Sequence, residues 1–441
     1  MEHKWLARRP LGNPRRHWRQ DNFVLHCSGV VPISTALEPE SPLTVQKIHR
    51  AVKTTIDAGF NLMGCLWSHP DTAMEAVRAA ERWGGNILYQ NLKRFSGMNE
   101  RIFCETNDYM GAIRDTKQWK CIGRGGYFMW DEPILPETFS VIRKMIDDCE
   151  RECPGVLPFT VANPSYNPRC SWEKKEYAPY IDRFLDEIEP CQAAFDHYPI
   201  GVPWWKNDDR QLDDSTMWSD IAVVSRAAAK RDIPFWFTYQ AHHYPWHAVP
   251  YTFKHTMARC MAHAGILNGA KGVEAYVEWD GWIDPRTGGK GTYFEEQKQL
   301  NSELAALGNT LMALTCLRVI HDETLLPDHP SMEGLRTPAS ESELLDGSPL
   351  PARISVSEHT DAYGNRYLMV LNRDYDVAQH ISLTLKNPSH IYGVRKDSGE
   401  QELLYENTTW FWTQIAPGDL QLYRIQPAEE TPFLLDYYLD K

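Results

Sequence analysis

The sequence predicts an α/β protein, a (β/α)₈ TIM barrel followed by a small C-terminal antiparallel β-sandwich domain. Eight short apolar segments alternate with longer amphipathic segments over about 290 residues, the pattern of a parallel sheet with helical crossovers. After about residue 345, apolar and polar residues alternate with period two, which is typical of antiparallel strands. The 441 residues leave room for both parts, because a barrel needs roughly 250.

The barrel strands are predicted in order along the chain as apolar runs bounded by helical patterns. They lie at residues 23–31, 60–67, 86–92, 126–132, 157–162, 192–198, 234–240 and 272–279. The first helix is the clearest, because Val45, Ile48, Val52 and Ile56 recur at helical spacing and Gly59 ends it. A doubly wound open sheet is the alternative fold, but the turn after the first strand lacks the Gly-rich phosphate loop of that fold.

Three segments are expected along the chain. Residues 1–20 form an N-terminal arm, residues 21–335 the barrel and residues 345–428 the C-terminal domain. The only basic run, from Arg8 to Arg19, lies in the arm and is expected to be solvated. In the C-terminal domain, turn signals such as Tyr363-Gly364-Asn365 separate the alternating segments.

Composition excludes several classes of partner. A formal net charge of −13 argues against nucleic acid and against anionic membrane surfaces. No apolar stretch reaches the ~20 residues of a membrane span. The first residues lack an apolar signal region, so the chain as written is expected to be cytoplasmic, or periplasmic or secreted if a signal was removed. The ten cysteines are expected to be reduced core residues, and the oligomeric state is left open.

Aromatic residues point to a carbohydrate partner. They make up 12% of the chain, with 16 tryptophans, and a surplus of tryptophan is useful where some line a binding surface. The C–H faces of sugar rings stack on such side chains, and neutral glycans are indifferent to the net charge of the protein. We expect no cofactor and no metal ion.

Polar side chains end several predicted strands, which is where TIM barrels place their active sites. The ends read Trp67 on the second strand, Trp130-Asp131-Glu132-Pro133 on the fourth, Asp196-His197-Tyr198 on the sixth, Tyr239-Gln240 on the seventh and Glu278-Trp279-Asp280 on the eighth. Together they predict a polar active-site mouth that holds acids, amides and aromatic rings.

The end of the fourth strand is the strongest single signal. A carboxylate beside tryptophan and buried chain loses solvation, which raises its pKa, as a glycosidase proton donor requires. Glu132 is therefore the predicted proton donor, and strict alternation places it on the face of Phe128 and Trp130, with Asp131 opposite. The alternative is that Asp131 and Glu132 simply cap the following helix.

The remaining strand-end residues are predicted to bind substrate. Trp67, Trp130, Trp236 and Trp279 are candidate sugar platforms, and Asp131, His197, Tyr198 and Gln240 are candidate hydrogen-bonding partners. The segment HHYPWH at 242–247 invites a metal site, but its lack of a neighbouring carboxylate favours an aromatic substrate loop.

These strand ends resemble those of the clan A glycoside hydrolases, of which the family 5 cellulases are typical. There the fourth strand ends in Asn-Glu-Pro, whose Glu is the acid/base, and Asp131-Glu132-Pro133 stands at that place. His197-Tyr198 is similar to the clan's sixth-strand element, and Trp279 to its eighth-strand aromatic residue. The chain also resembles uncharacterised glycosidase-like barrels of gut bacteria, with its WDEP fourth strand and its segment Gly269-Ala270-Lys271-Gly272.

One departure from the clan concerns the nucleophile. The clan has a Glu at the end of strand seven, whereas this chain has Thr238-Tyr239-Gln240, and an amide cannot form a glycosyl ester. Three explanations stay open. Another carboxylate serves, with Glu278 favoured, Asp196 next, and Glu274 and Asp280 as further candidates; the substrate's own acetamido group attacks, assisted by Asp131-Glu132; or the barrel binds sugar without cleaving it. We expect a glycoside hydrolase that acts on an oligo- or polysaccharide.

Overall fold

All eight predicted barrel strands are present in the computed structural model, which describes residues 10–30, 42–65, 68–91, 108–166, 176–200, 216–241, 253–276, 281–325, 335 and 337–429. The strands are β1 (Val24–Cys27), β2 (Leu62–Gly64), β3 (Ile87–Tyr89), β4 (Gly126–Asp131), β5 (Leu157–Val161), β6 (Ala193–His197), β7 (Phe235–Gln240) and β8 (Gly272–Tyr276). They pair in parallel in the order β5-β4-β3-β2-β1-β8-β7-β6. The backbone N–H of Ala162 donates to the carbonyl oxygen of Ala194 at 2.8 Å and brings β5 beside β6, which confirms the predicted barrel.

Helices separate the strands as the alternating pattern predicts. They are α1 (Pro42–Asp57), α2 (Pro70–Trp83), α3 (Tyr109–Thr116), α4 (Lys120–Gly123), α5 (Phe139–Glu152), α6 (Tyr177–Arg183), α7 (Met217–Lys230), α8 (His255–Leu267) and α9 (Phe294–Ala313). Helix α2 shows how sequence sets the bounds: Pro70 occupies its first position, and Gly84 ends it in the left-handed region at φ 76°. Its alanines at 73, 76, 79 and 80 are buried.

The barrel interior is packed with side chains from six of the strands. These residues are Leu62, Leu88, Phe128, Leu157, Phe159, Val161, Cys191, Ala194 and Trp236. Phe159 lies 5.1 Å from Phe128 and 5.8 Å from Trp236 between ring centroids. The lower barrel is therefore a packed core and not a channel, and only the strand ends above it are left to form a site.

The described part of the N-terminal arm, residues 10–20, packs on the barrel through Arg16, so the expectation of a solvated arm was wrong for this residue, whereas Arg15 and Arg19 are exposed. Arg16 is 3% exposed, and its guanidinium donates to the backbone carbonyls of Glu189 and Ile188 and pairs with Asp147 and Glu150. Gln20 accepts a hydrogen bond from the indole of Trp236 at 2.8 Å. The described part of the arm contacts Pro190 before β6, Lys271 before β8 and Trp236 near the start of β7, so it lies at the N-terminal end of the barrel. The sequence shows only a run of basic residues, and it does not indicate that Arg16 donates hydrogen bonds to buried carbonyl groups.

The C-terminal domain is a six-stranded antiparallel sheet. Its strands are β9 (Thr315–His321), β10 (Ile354–Thr360), β11 (Arg366–Asn372), β12 (Gln379–Val394), β13 (Gln401–Ile415) and β14 (Leu420–Pro427), in the order β13-β12-β14-β11-β10-β9. The pairing of β12 with β13 shifts between Thr384 and Ser389, and residues from the four other strands join them in one apolar core, as a β-sandwich requires. Strand β9 precedes the expected start at 345 because its partly exposed residues lack a clear period-two pattern.

The chain divides into two compact units. One comprises residues 10–255 and 270–302, and the other includes residues 256–269 and those from 303 onward. No helix in the described ranges has the length and hydropathy of a membrane span. The eight cysteines within these ranges are free thiols, and seven of them are buried, as expected of core residues.

Replacing Arg16 tests the packed arm. The Arg16→Ala substitution removes the donor to the carbonyl groups of Ile188 and Glu189 and the ion pair of buried Glu150, so we expect the free energy of unfolding to fall by about 3 kcal/mol. Arg15→Ala is the matched control, because the Arg15 side chain is 70% exposed and its loss should cost no more than ~1 kcal/mol. Urea unfolding measures both, and equal effects would contradict the packed arm.

Candidate active site

Carboxyl groups from the ends of β4, β6 and β8 converge inside the barrel mouth. Asp196, Thr238, Glu274 and His26 are paired in register on β6, β7, β8 and β1. Neighbours in register on parallel strands project to the same face of the sheet, and the His26 ring contacts interior Phe159 at 5.5 Å. Asp196 and Glu274 therefore both face the interior, one layer above the packed core.

A β-bulge turns Asp131 into this interior group. Phe128 pairs with Phe159, but Trp130 pairs with Thr160 and Asp131 with Val161, so one additional β4 residue lies between Phe128 and Trp130. Because Val161 belongs to the interior cluster, Asp131 faces the interior. The predicted strict alternation, with Glu132 on the face of Phe128 and Trp130, was therefore wrong.

Glu132 follows the bulge in an unusual backbone conformation. Its φ is +46°, a left-handed value that glutamate rarely adopts. Its N–H donates to the carbonyl oxygen of Val161 at 3.1 Å. The next carbonyl oxygen, that of Pro133, accepts hydrogen bonds from Asn163 Nδ2 and from the Tyr180 hydroxyl, both at 2.9 Å. These contacts from β5 and α6 hold the strained turn, which carries Glu132 to its contact with Asp196.

Asp196 is the centre of the carboxyl group cluster. Its side chain forms hydrogen bonds with Glu132 and with Tyr198, and it is 6% exposed. Burial raises the pKa of Asp196 to about 7; the hydrogen bonds from Tyr198 and Glu132 oppose this rise and the charge of Glu274 adds to it. Two carboxyl groups can form a hydrogen bond only if one carries a proton, so Glu132 and Asp196 share one.

Asp131 and Glu274 have pKa values displaced in opposite directions. Burial, with the negative charges of Asp196 and Glu274, raises the pKa of Asp131 well above its ordinary range. Burial also favours neutral Glu274, but His26, Thr238 and Ser28 outweigh it and lower the pKa of Glu274. The Thr238 hydroxyl donates to Glu274 Oε2 at 2.7 Å, and His26 Nδ1 lies 3.3 Å from the same oxygen. Glu274 is thus the ionised member, and Asp131 is the member least able to ionise without a nearby cation.

His197 lies on the other face of β6 from Asp196. Its Nε2 is 3.2 Å from Thr216 Oγ1 and 3.5 Å from Asp220 Oδ2, at the start of α7. Burial lowers the pKa of His197 to about 3, so the ring is neutral. The structure therefore places His197 as a link between β6 and α7, and not at the mouth, where the sequence predicted it.

Gln240 clamps the segment that follows β6. Its Oε1 accepts from the N–H of Ile200, and its Nε2 donates to the carbonyl oxygen of Ile200, both at 3.0 Å. A carboxylate could accept but could not donate. This clamp is a physical reason for an amide at the end of strand seven, where the resembling clan has its nucleophile.

The described tryptophans among the predicted platforms are buried. Trp130 is 1% exposed and pairs with outward-facing Thr160. Trp236 is 2% exposed and lies in the lower core, where its indole is bonded to Gln20. Neither indole is placed to stack on a sugar at the mouth. The predicted residues Trp67, Glu278 and Trp279, together with Asp280 and the segment 242–247, lie outside the described residues.

Two residues at the mouth, Tyr276 and Glu274, were not among the favoured site residues of the sequence prediction. The ring of Tyr276, at the end of β8, lies 5.0 Å from the ring of Tyr198, and both are partly exposed. Glu274 was only one of several candidates for a second carboxylate, and a signal for it existed: it is the one acidic residue within an otherwise apolar eighth strand. Within the described ranges, no group of three or more His, Cys, Asp or Glu side chains is arranged to hold a metal ion.

Comparison with known proteins supports the fold. The sequence matches no family model, and no curated protein matches it. Among solved structures, a proposed alpha-galactosidase from Bacteroides fragilis is similar with a TM-score of 0.51 and 10% identity, over 92% of this chain and 79% of that one. A catalytic mutant of a family 42 beta-galactosidase from G. stearothermophilus is similar with a TM-score of 0.52 and 7% identity, over 95% of this chain and 100% of that one. At these identities the likeness concerns the fold.

Replacing Gln240 with glutamate tests the clamp. In Gln240→Glu the new carboxylate faces the Ile200 carbonyl oxygen and cannot donate, so we expect a loss of about 1–3 kcal/mol of stability at neutral pH. The loss should shrink as pH falls, because a protonated carboxyl group recovers one donor. Thermal unfolding from acid to neutral pH measures both effects, and a stability difference from wild type that is zero or independent of pH would contradict the clamp.

Proposed function

We propose that this protein is a glycoside hydrolase in which the Glu132–Asp196 pair supplies the proton and Asp131 is the second carboxylate. The observation that carries the proposal is the convergence of these three carboxyl groups at the C-terminal mouth of the barrel, with the pKa of two of them raised. Glycosidases need one protonated and one ionised carboxyl group on opposite sides of the scissile bond. The fold is that of two structures whose names are those of galactosidases, which supports a glycoside as substrate.

The pair is suited to the role of proton donor. Below about pH 7 Asp196 holds a proton in a site with little water, and Glu132 is partly exposed at the end of its turn. Glu132 transfers the proton to the glycosidic oxygen as the bond from that oxygen to the anomeric carbon breaks. This transfer leaves both carboxyl groups of the pair ionised. A proton from the incoming water restores the pair if Asp131 acts as nucleophile, and a proton from solvent restores it if Asp131 takes the proton of that water.

Asp131 is suited to the developing positive charge. Burial and the charges of Asp196 and Glu274 disfavour the ionised form of Asp131. A cation formed beside Asp131 therefore stabilises this carboxylate more than the same cation would stabilise a solvated carboxylate. An oxocarbenium-like transition state is such a cation, and an interaction that strengthens in the transition state is what lowers the barrier. The developing cation favours the ionised form, so Asp131 releases its proton to solvent, and the carboxylate then either bonds to the anomeric carbon or deprotonates the attacking water.

A neutral sugar fits this site best. Glu274 remains ionised, and Asp131, Glu132 and Asp196 add three carboxyl groups to the site. The chain as a whole carries a net charge of −13. An anionic sugar would be repelled. Tyr198 and Tyr276 offer the aromatic surface that the buried Trp130 and Trp236 do not.

Substrates with different leaving groups separate the two roles. Glu132→Gln and Asp196→Asn should lose at least ~10²-fold in kcat on oligosaccharides, but far less on dinitrophenyl glycosides, whose leaving group needs no proton. Asp131→Asn should lose activity on both classes, and Glu187→Gln, which changes an exposed carboxyl group on another part of the barrel, should match wild type. A panel of neutral oligosaccharides and aryl glycosides is the assay. Full activity of Asp131→Asn, or no turnover of any substrate by wild type, would overturn the proposal.

The pH profile tests the electrostatic role of Glu274. The pair supplies a proton most readily while Asp196 is protonated, so kcat/KM should fall as pH rises past the pKa of Asp196, about 7. Glu274→Gln removes a negative charge roughly 10 Å away across two strands and should move this basic limb down by about one pH unit. Glu274→Asp, which keeps the charge, should leave the limb near its wild-type position, and a limb that Glu274→Gln does not move would contradict this role.

A further inference from the structure

Two exposed tryptophans lie two residues apart on the edge strand of the C-terminal sheet. Trp410 is 54% exposed and Trp412 57% exposed on β13, while Phe411 between them is buried in the core of the sheet. Alternation therefore places both indoles on the outer face. Large aromatic side chains exposed to this extent and side by side indicate an interaction surface more often than isolated ones do.

The backbone beneath the two rings is fixed by hydrogen bonds. Trp410 pairs with Thr384 and Trp412 with Ser382 across the β12–β13 hairpin. The Tyr405 hydroxyl donates to the carbonyl oxygen of Trp412 at 3.0 Å, and Thr408 Oγ1 donates to the carbonyl oxygen of Trp410 at 2.8 Å. The Cα atoms of the two tryptophans are therefore held roughly 7 Å apart on a rigid ladder.

The surroundings of these rings suit an uncharged ligand with hydroxyl groups. Their cross-strand partners Ser382 and Thr384 are exposed hydroxyl residues, and Gln414 lies at the next outward position opposite His380. The next exposed residue of β12 on this face is Lys386, whose ammonium group donates to the carbonyl oxygen of Ser342. The surface thus combines flat apolar rings with small neutral hydrogen-bonding groups. This is the chemistry that recognises a pyranose ring, which has an apolar C–H face and a hydroxylated edge.

The exposed area is too small for a stable protein partner. Fully exposed aromatic side chains present up to about 250 Å² each, so the two half-exposed rings offer about 250 Å² of apolar surface in total. A stable dimer needs about 800 Å² from each partner. Two to three sugar rings, by contrast, are matched in size to this surface.

We propose that Trp410 and Trp412 form a surface site that binds an uncharged polysaccharide, with a pyranose ring on each indole. The site is separate from the carboxyl groups of the barrel, and binding there requires no turnover. It would hold the protein on a polymer whose chain ends or branches are the substrate.

Adsorption to insoluble polysaccharides tests this site. Three proteins are compared: wild type, the double alanine variant Trp410→Ala/Trp412→Ala and the double phenylalanine variant Trp410→Phe/Trp412→Phe. Each is mixed with cellulose, mannan, xylan or starch granules, and the protein left in solution is measured. We expect wild type to adsorb to at least one polymer, the double alanine variant to bind at least about tenfold more weakly, and the phenylalanine variant to bind with intermediate strength. Trp83→Ala is the matched control, because Trp83 is 41% exposed on helix α2 of the other unit and should bind like wild type.

Several results would overturn the site. They are a wild type that adsorbs to none of the polymers, a double alanine variant that adsorbs like wild type, or an equal loss in Trp83→Ala. Sedimentation of wild type and double variant adds a further test, since a dimer that the double variant abolishes would identify the surface as a self-association site. Adsorption by Asp131→Asn separates the two proposals, because that variant should bind the polymer like wild type whether or not the barrel is a hydrolase.

Discussion

The mouth of this barrel is shaped by the cost of holding four carboxyl groups together with little water. Asp131, Glu132, Asp196 and Glu274 cannot all be ionised at neutral pH, because like charges in a poorly solvated site raise one another's pKa. The structure resolves this conflict unequally. Glu274 keeps its charge through Thr238, Ser28 and the nearby His26 ring, Glu132 and Asp196 share a proton, and Asp131 is left with burial and repulsion alone as the causes of its shift. The unequal distribution places the four groups in different protonation states.

Much of the surrounding structure serves to hold this arrangement. The β4 bulge directs Asp131 inward, and Asn163 and Tyr180 hold the Pro133 carbonyl so that Glu132 keeps its left-handed backbone. A strained non-glycine residue of this kind persists only where its surroundings over-determine it. A turn that served stability alone would favour glycine at this position. A glutamate in this strained conformation beside buried Asp196 therefore indicates that the position of its carboxyl group matters.

The secondary-structure elements and most of the chemical groups of the site follow from the sequence, but their orientation does not. The eight strands, the antiparallel domain and the acids Asp131, Glu132 and Asp196 follow from hydrophobic periodicity and from what each strand ends in. The bulge does not, because one additional residue leaves the apolar pattern of Tyr127, Phe128 and Met129 unchanged while it exchanges the faces of Trp130 and Asp131. Trp236 and Arg16 were misplaced for a related reason: both are satisfied by partners far away in sequence, Gln20 in one case and Ile188 and Glu189 in the other. Gln240, which departs from the resembling clan, is explained only by the Ile200 backbone that it clamps.

Titration of the individual carboxyl groups tests the shared proton most directly. Carbon-13 NMR of protein labelled at the aspartate side-chain carboxyl carbons, with Asp131→Asn and Asp196→Asn to assign the signals, follows each group through the pH range. We expect an Asp196 signal that titrates near pH 7, an Asp131 signal that titrates well above the ordinary aspartate range, and a downward movement of both in Glu274→Gln. If Asp131 and Asp196 both titrated at ordinary aspartate values near 4, the carboxyl groups would be solvated and independent, and the proposed division of roles among them would be wrong.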